Sequence, residues 1–240
     1  MKISVVIPAF NEATRLPESL EKVCSFLATR YGNGNVDYEV VVVDDGSDDE
    51  TALVAQRFEG RGVRVVALAE NRGKGAALKA GVLSSRGETV LLCDADLSTP
   101  IEDLVRLEAR LAEADLVVGS RAVADADIVF RQPFYREWMG KVFNRIVRLL
   151  GITGIKDTQC GFKLMQGEAG RTLFQQLTVD RFAFDVELIW LAQRHGYRVA
   201  EVGVTWANSA ASKVDPVTDS FSMFLDVIRL RLRHRKTPPR

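Results

Sequence analysis

Residues 91–100, LLCDADLSTP, run from an apolar strand end directly into two carboxylates, Asp94 and Asp96, separated by a single alanine. On a strand tip, residues i and i+2 share a side, so both carboxylates are expected to face one point outside the carboxyl edge of the sheet. Open α/β sheets bind their ligands there. Thr99-Pro100-Ile101-Glu102 then has capping-box form, with Thr99 as N-cap, Pro100 at N1 and Glu102 at N3, which predicts a helix just beyond the acidic pair. Hard oxygen ligands in such a turn suit Mg²⁺ or Mn²⁺, whose shell is completed by water and substrate phosphates. An acidic surface turn is the plain alternative; the buried strand before the pair and the capped helix after it favour the metal.

The same grammar recurs upstream. Residues 3–7 are a β-branched run closed by Pro8, a buried parallel strand, and Leu16, Leu20, Val23, Cys24 and Leu27 follow at helical spacing. A second strand, 39–43, ends in Asp44-Asp45-Gly46, and Ser47-Asp48-Asp49-Glu50 is a second capping-box pattern, opening a helix to about Phe58. Strand 63–68 leads through Asn71-Arg72-Gly73-Lys74-Gly75 into a helix bearing Ala76, Ala77 and Ala80. Strand 89–93, helix 101–114 and strand 116–118 complete the first half. Four strand–helix units predict a doubly wound, mostly parallel sheet with right-handed crossovers. Its strand-end loops bring Glu12, Asp45, Lys74, Asp94 and Asp96 to one edge. A carboxylate such as Asp45 can accept the ring N–H of a nucleotide base, Lys74 can approach the nucleotide, and a metal on Asp96 can neutralise a diphosphate.

The second half loses that rhythm. Residues 125–151 mix Phe130, Phe134, Tyr135, Trp138, Met139, Val142, Phe143, Ile146 and Leu150 with Arg131, Arg136, Lys141, Arg145 and Arg148. That pattern predicts a helix, either packed in the core with solvated arginines or lying at a membrane interface. Residues 182–193 predict a buried helix, on which Asp185 and Glu187 are either hydrogen-bonded structural groups or acceptor-site groups. A late strand, 199–205, follows, then a helix over 221–235 with Phe221, Phe224, Leu225, Ile228 and Leu232 on one side. Its end carries Arg229, Arg231, Arg233, Arg235 and Lys236, more positive charge than dipole compensation needs.

Composition removes other classes. With 240 residues and 47% apolar content the chain suits one large α/β domain. Lys plus Arg equals Asp plus Glu at 32 each, so no basic field points to nucleic acid. Cys24, Cys93 and Cys160 are widely spaced in apolar contexts, which fits reduced cytosolic thiols. No run reaches the roughly 18 apolar residues of a membrane span, and no signal peptide is expected. Gly73 and Gly75 lack the third glycine of a dinucleotide loop and follow the third strand rather than the first. Of the two histidines, His195 precedes Gly196 at a helix end and is expected to close that helix; a His-based hydrolase has no support.

The stretches VVIPAFNE (5–12), VVVDDGSDDET (41–51), NRGKGAALKAG (71–81), DADLSTP (94–100), KDTQCGFKLM (156–165) and FAFDVELIWLA (182–192) together resemble glycosyltransferase family 2, of GT-A fold. Within it they resemble the polyprenyl-phosphate hexosyltransferases, and DADLSTP and DTQCGFKLM look like the dolichyl-phosphate β-glucosyltransferase group. The resemblance implies a Rossmann-like doubly wound sheet with a C-terminal acceptor-side helical region, in one domain. Residues 1–120 form its nucleotide-sugar-binding half, 121–215 its acceptor-side half, and 216–240 a basic amphipathic helix. It implies that Pro8, Ala9, Glu12, Asp44 and Asp45 frame base and ribose, and that Asp94, Ala95 and Asp96 hold ribose, metal and diphosphate, Asp96 foremost. Arg131 and Arg136 match positions given to the acceptor phosphate, and Ser212-Lys213 resembles a late motif that closes over the donor diphosphate. A glycine usual before that pair is missing. The implied reaction is metal-dependent inverting transfer of a hexose, glucose from UDP-glucose, to a polyprenyl phosphate at the cytosolic membrane face. GDP-mannose as donor, a soluble acceptor, or a binding module without turnover are the alternatives.

Overall fold

The computed structural model describes residues 1–32, 37–130, 147 and 152–207, with residues 223, 225, 226, 229, 230, 233 and 234. β1 (Ile3–Ala9), β2 (Tyr38–Asp44), β3 (Val63–Ala67) and β4 (Thr89–Leu92) pair in parallel in the order β3-β2-β1-β4. β2 is buried at every position, as a strand covered on both faces must be. Successive residues serve opposite cores: Val5, Val40, Val42 and Leu91 pack with α1 (Leu16–Tyr31), while Val6, Val41, Val43 and Leu92 pack with α3 (Lys74–Ser84). The expected apolar face of α1 is buried throughout. α2 (Thr51–Gln56) and α4 (Leu104–Leu111) supply the remaining crossovers of this half.

β1 runs on through Pro8 instead of stopping there. Its pairing with β4 ends at Val6, so Pro8 lies beyond that ladder and its missing N–H leaves no bond unmade. Neither capping box forms. Pro100 is extended, a 3₁₀ turn over Ile101–Asp103 precedes α4, and no side chain caps it. Ser47 instead accepts the N–H of Asn11, while Asp49 accepts that of Thr51, so α2 starts later than expected.

β5 (Leu116–Ser120) joins the sheet, but β7 (Lys163–Gln166) is inserted between it and β4, antiparallel to both. β8 (Val199–Gly203) closes the order β3-β2-β1-β4-β7-β5-β8. α5 (Gly167–Gln176) and α6 (Phe184–Arg194) follow β7, and His195 closes α6 as expected. The late strand is two: after β8 the chain turns at Val204 into β9 (Thr205–Ala207), which pairs with β6 (Asp127–Phe130) in a small separate sheet. β6 replaces the start of the helix expected over 125–151, because its Ile-Val run meets an open strand edge. Val147, helical and buried, is described in that segment; residues 131–146, 148–151 and 208–222 lie outside the described residues, as do Phe224, Ile228, Arg231, Leu232, Arg235 and Lys236. Near the C-terminus Met223, Leu230 and His234 are buried and Arg229 and Arg233 exposed.

Candidate active site

β4 stops at Leu92, and the two carboxylates leave on a turn rather than on the strand itself. Leu97 takes a positive φ of 47° there, and its N–H donates to the Asp94 carbonyl at 3.1 Å. The pair therefore meets different partners. Asp94 Oδ1 lies 2.6 Å from Lys74 Nζ. Its other oxygen lies against Gly161, where a Cβ would come within 2.2 Å of Asp94 Oδ2, so any larger residue there displaces the carboxylate. Asp96 accepts the N–H of Ser98 at 3.0 Å, and its charge is felt by Arg15 and Lys74. Partial burial works to raise the Asp94 pKa, but Lys74, then Lys163 and Arg121, hold it below the usual carboxylate range. Burial works against the Lys74 ammonium too, yet Asp94, Asp185 and Asp96 hold it above the usual lysine value. Both groups are ionised at neutral pH.

The other predicted loops arrive at this edge and are stitched together. Asp45, buried, accepts the N–H groups of Arg72 at 2.9 Å and Gly73 at 2.8 Å, fixing the loop that launches Lys74 as the first residue of α3. Gly73 has φ 108° and the Asp180 carbonyl against it, so it needs to be glycine. Asp44 accepts the N–H of Ser47 at 3.2 Å. Glu12 grips Arg15 through both oxygens, at 2.8 and 2.6 Å, and its own N–H donates to Thr51. Pro8 and Ala9 end β1 beside Asp44, and Ala95 is buried between the two aspartates. Arg131, Arg136, Ser212 and Lys213 lie outside the described residues.

Three groups escaped the sequence reading. Arg121, one residue past β5, forms a two-pronged ion pair with buried Asp157 at 2.7 and 2.9 Å and lies over the Trp206 ring at 5.5 Å. The rule that located Asp94, polar residues just past a strand's carboxyl end, would have found it. Lys163 is fully buried, pairing with Asp185 and donating to the Cys160 carbonyl at 2.6 Å; a lone lysine inside the apolar run FKLM is the signal. Gly161 was quoted in a motif without a role. Of the two carboxylates on α6, Glu187 is structural: it accepts from Thr178 N–H (2.9 Å), Thr178 Oγ1 (2.7 Å) and Val179 N–H (2.8 Å), and meets His234 Nε2 at 2.5 Å. Cys24, Cys93 and Cys160 are buried free thiols. Burial pushes Cys160 up to about 11, so it stays protonated beside the site.

Residues 4–174 match the profile described as Glycosyl transferase family 2. The dolichyl-phosphate beta-glucosyltransferase of Dictyostelium discoideum is 41% identical over 243 residues, spanning 97% of this chain and 74% of that protein. The Homo sapiens protein of the same name is 39% identical over 245 residues, spanning 97% and 76%. Among solved structures, glucosyl-3-phosphoglycerate synthase from Mycobacterium tuberculosis, in complex with Mn²⁺ and UDP-glucose, superposes with a TM-score of 0.66 at 23% identity, over 97% of this chain and 78% of that one. The likeness in structure establishes the shared fold. With the profile running from β1 into α5 and the relatives aligned along nearly the whole chain, this is a GT-A glycosyltransferase, and it belongs to glycosyl transferase family 2.

Proposed function

We propose that the protein transfers glucose from UDP-glucose to a polyprenyl, dolichyl-type, phosphate with inversion at the anomeric carbon. The observation that carries this reading is the near-full-length identity with dolichyl-phosphate beta-glucosyltransferases. The strand-end loops supply the donor site: Pro8, Ala9, Glu12, Asp44 and Asp45 frame base and ribose, and Lys74, Asp94, Ala95 and Asp96 line the diphosphate. Residues 1–120 act as the donor half and 121–215 as the acceptor half. Among the described residues no three His, Cys, Asp or Glu side chains form a metal cage. Two hard carboxylates on one turn fit a divalent ion that takes its other ligands from phosphate and water. Asp96 is the foremost ligand, since Asp94 is already engaged by Lys74. Mg²⁺ or Mn²⁺ bound there supplies positive charge against the departing diphosphate.

The chain's own residues then need only hold reactants in line. An acceptor phosphate is anionic at neutral pH, so it attacks without a strong general base, and positioning with charge stabilisation carries the rate. That agrees with a site built from carboxylates, Lys74 and Arg121, with both described histidines placed in the scaffold. Arg131, Arg136 and Lys213 complete the proposal on the acceptor and diphosphate sides. A transfer assay offering UDP-glucose, UDP-galactose and GDP-mannose side by side, with polyprenyl phosphate and with a soluble acceptor, tests it. UDP-glucose with the lipid is expected to give the highest turnover and EDTA to abolish it. Preference for GDP-mannose replaces the donor; no turnover with any pair leaves a binding module.

A polyprenyl acceptor is confined to a bilayer, so the enzyme is proposed to work peripherally at the cytosolic face. No helix among the described residues is long and apolar enough to cross a membrane. The C-terminal helical positions are one-sided, with Met223 and Leu230 buried and Arg229 and Arg233 exposed. Arg229 adds on the order of 1 kcal/mol of attraction to an anionic leaflet, less in salt, and Arg233 adds less because Asp226 lies 3.4 Å from it. Flotation with anionic vesicles is expected to carry the protein upward at low salt and not at high salt. Absence of flotation, with full activity on a soluble acceptor, removes the membrane.

A further inference from the structure

Lys163 is among the largest side chains with no exposed surface, and its partner Asp185 is 4% exposed. Such a pair is a poor stability device: dehydrating two charges costs about as much as their attraction returns, and apolar replacements are often neutral or stabilising. Its placement suggests another use. Lys163 sits in register with Leu92 of β4 and Val118 of β5, at the strand ends that carry Asp94 and Arg121. Its ammonium donates to the Cys160 carbonyl at 2.6 Å, closing the turn whose Gly161 walls in the Asp94 carboxylate. Asp185 lies in the first turn of α6, whose first residue, Phe184, and the loop before it meet the start of α3. A Cβ on Gly75 would lie 2.9 Å from Phe184 Cβ, and Ala76 N–H donates to the Asp180 carbonyl at 3.0 Å. The Asp185 charge accordingly reaches Lys74.

We infer that Lys163 and Asp185 are positioning residues for glycosyl transfer: the pair fixes the 160–163 turn behind Asp94 and the first turn of α6 behind Lys74, and so sets the Lys74–Asp94 contact facing the donor diphosphate. Neither side chain touches substrate. Both act through groups that must stay aimed while charge builds on the leaving diphosphate, so the effect falls on kcat more than on donor affinity. The inference rests on the proposed donor reading only for the substrate offered.

The test is the neutral, shape-conserving double variant Lys163→Met/Asp185→Asn, assayed with the donor and acceptor that the wild-type enzyme turns over. Its thermal midpoint is expected near wild type, since no unpaired charge is left buried, which offsets the loss of the lysine donor to the Cys160 carbonyl. Its kcat is expected to fall at least about tenfold with donor KM changed less than about threefold. A crystal structure should show Lys74 moved off Asp94. A folded double variant with wild-type kcat and the Lys74–Asp94 contact intact overturns the inference, because a pair that only filled space would leave both unchanged. Should the double variant not fold, Asp185→Asn alone, in which Lys163 keeps the Cys160 carbonyl as acceptor and can still donate to the new amide oxygen, is read against the same two outcomes. Were wild type to turn over no nucleotide sugar, the donor reading would fail, while the Lys74–Asp94 contact in the variant's crystal structure would still decide this one.

Discussion

Asp96→Asn is expected to lower kcat/KM for glycosyl transfer by about a thousandfold, equivalent to about 4 kcal/mol of transition-state stabilisation, with the thermal midpoint almost unmoved. The substitution keeps the side chain's shape and an oxygen able to accept the Ser98 N–H, which Asp96 holds at 3.0 Å. The charge is removed, and one acceptor oxygen becomes an NH2 donor. Asp94 is already neutralised by Lys74 at 2.6 Å, so Asp96 supplies most of the remaining negative charge that would attract a divalent cation to this turn. Calorimetry of UDP with and without EDTA checks the cause: wild type should bind more tightly with the metal, the variant equally in both. A variant within tenfold of wild type would remove Asp96 from the metal role.

The second large effect is on stability. Glu187→Ala is expected to cost on the order of 3 kcal/mol, because truncation strands the buried Val179 N–H and His234 as well as two partly buried donors on Thr178, which is worse than losing ordinary exposed hydrogen bonds. The backbone N–H groups of Thr178 and Val179 both end on this carboxylate, as does the Thr178 hydroxyl, with His234 on the far side. The damage should spread, since the next residue, Asp180, carries the carbonyl that accepts from Ala76 at the start of α3. Urea unfolding monitored by circular dichroism gives the number. A loss under about 1 kcal/mol would show that water replaces the carboxylate.

β1, β2 and β4 were legible in the sequence because a parallel strand covered on both faces is largely apolar along its length; β3, a partly exposed edge strand carrying Arg64, was read from its valines, and each of the four ends in a polar turn. Asp94 and Asp96 were legible for the same reason, lying just beyond a strand that announces itself, and Lys74 because it follows a glycine-bearing loop into a helix. β7 was hidden by Lys163, since a fully buried lysine contradicts the usual sorting of side chains. α5, with its two glycines, has only a short apolar face, Ala169, Leu173 and Phe174, and the sequence reading passed over it. β6 and β9 are too short to signal alone and depend on each other across the chain. The unread part of the site is all pairing at a distance: Arg121 finds Asp157 36 residues on, and Lys163 finds Asp185 22 residues on. Asp45 shows the limit from the other side. Its place at the edge was foreseen, but not that its carboxylate would tie down the loop before Lys74.

The insertion of β7 between β4 and β5 bears on how the protein is made. A ribosome releases β1 to β5 in order, yet β4 and β5 are not neighbours and share no ladder. Until residues 163–166 emerge, a nascent chain already holding the DADLSTP turn carries β4 as an open, apolar edge and β5 as an unattached strand. Open edges of this kind invite pairing with other chains. Slowed synthesis between β5 and β7 should therefore promote aggregation more than an equal delay after β7, and a fragment ending at residue 120 should be insoluble although it contains Asp45, Lys74, Asp94 and Asp96.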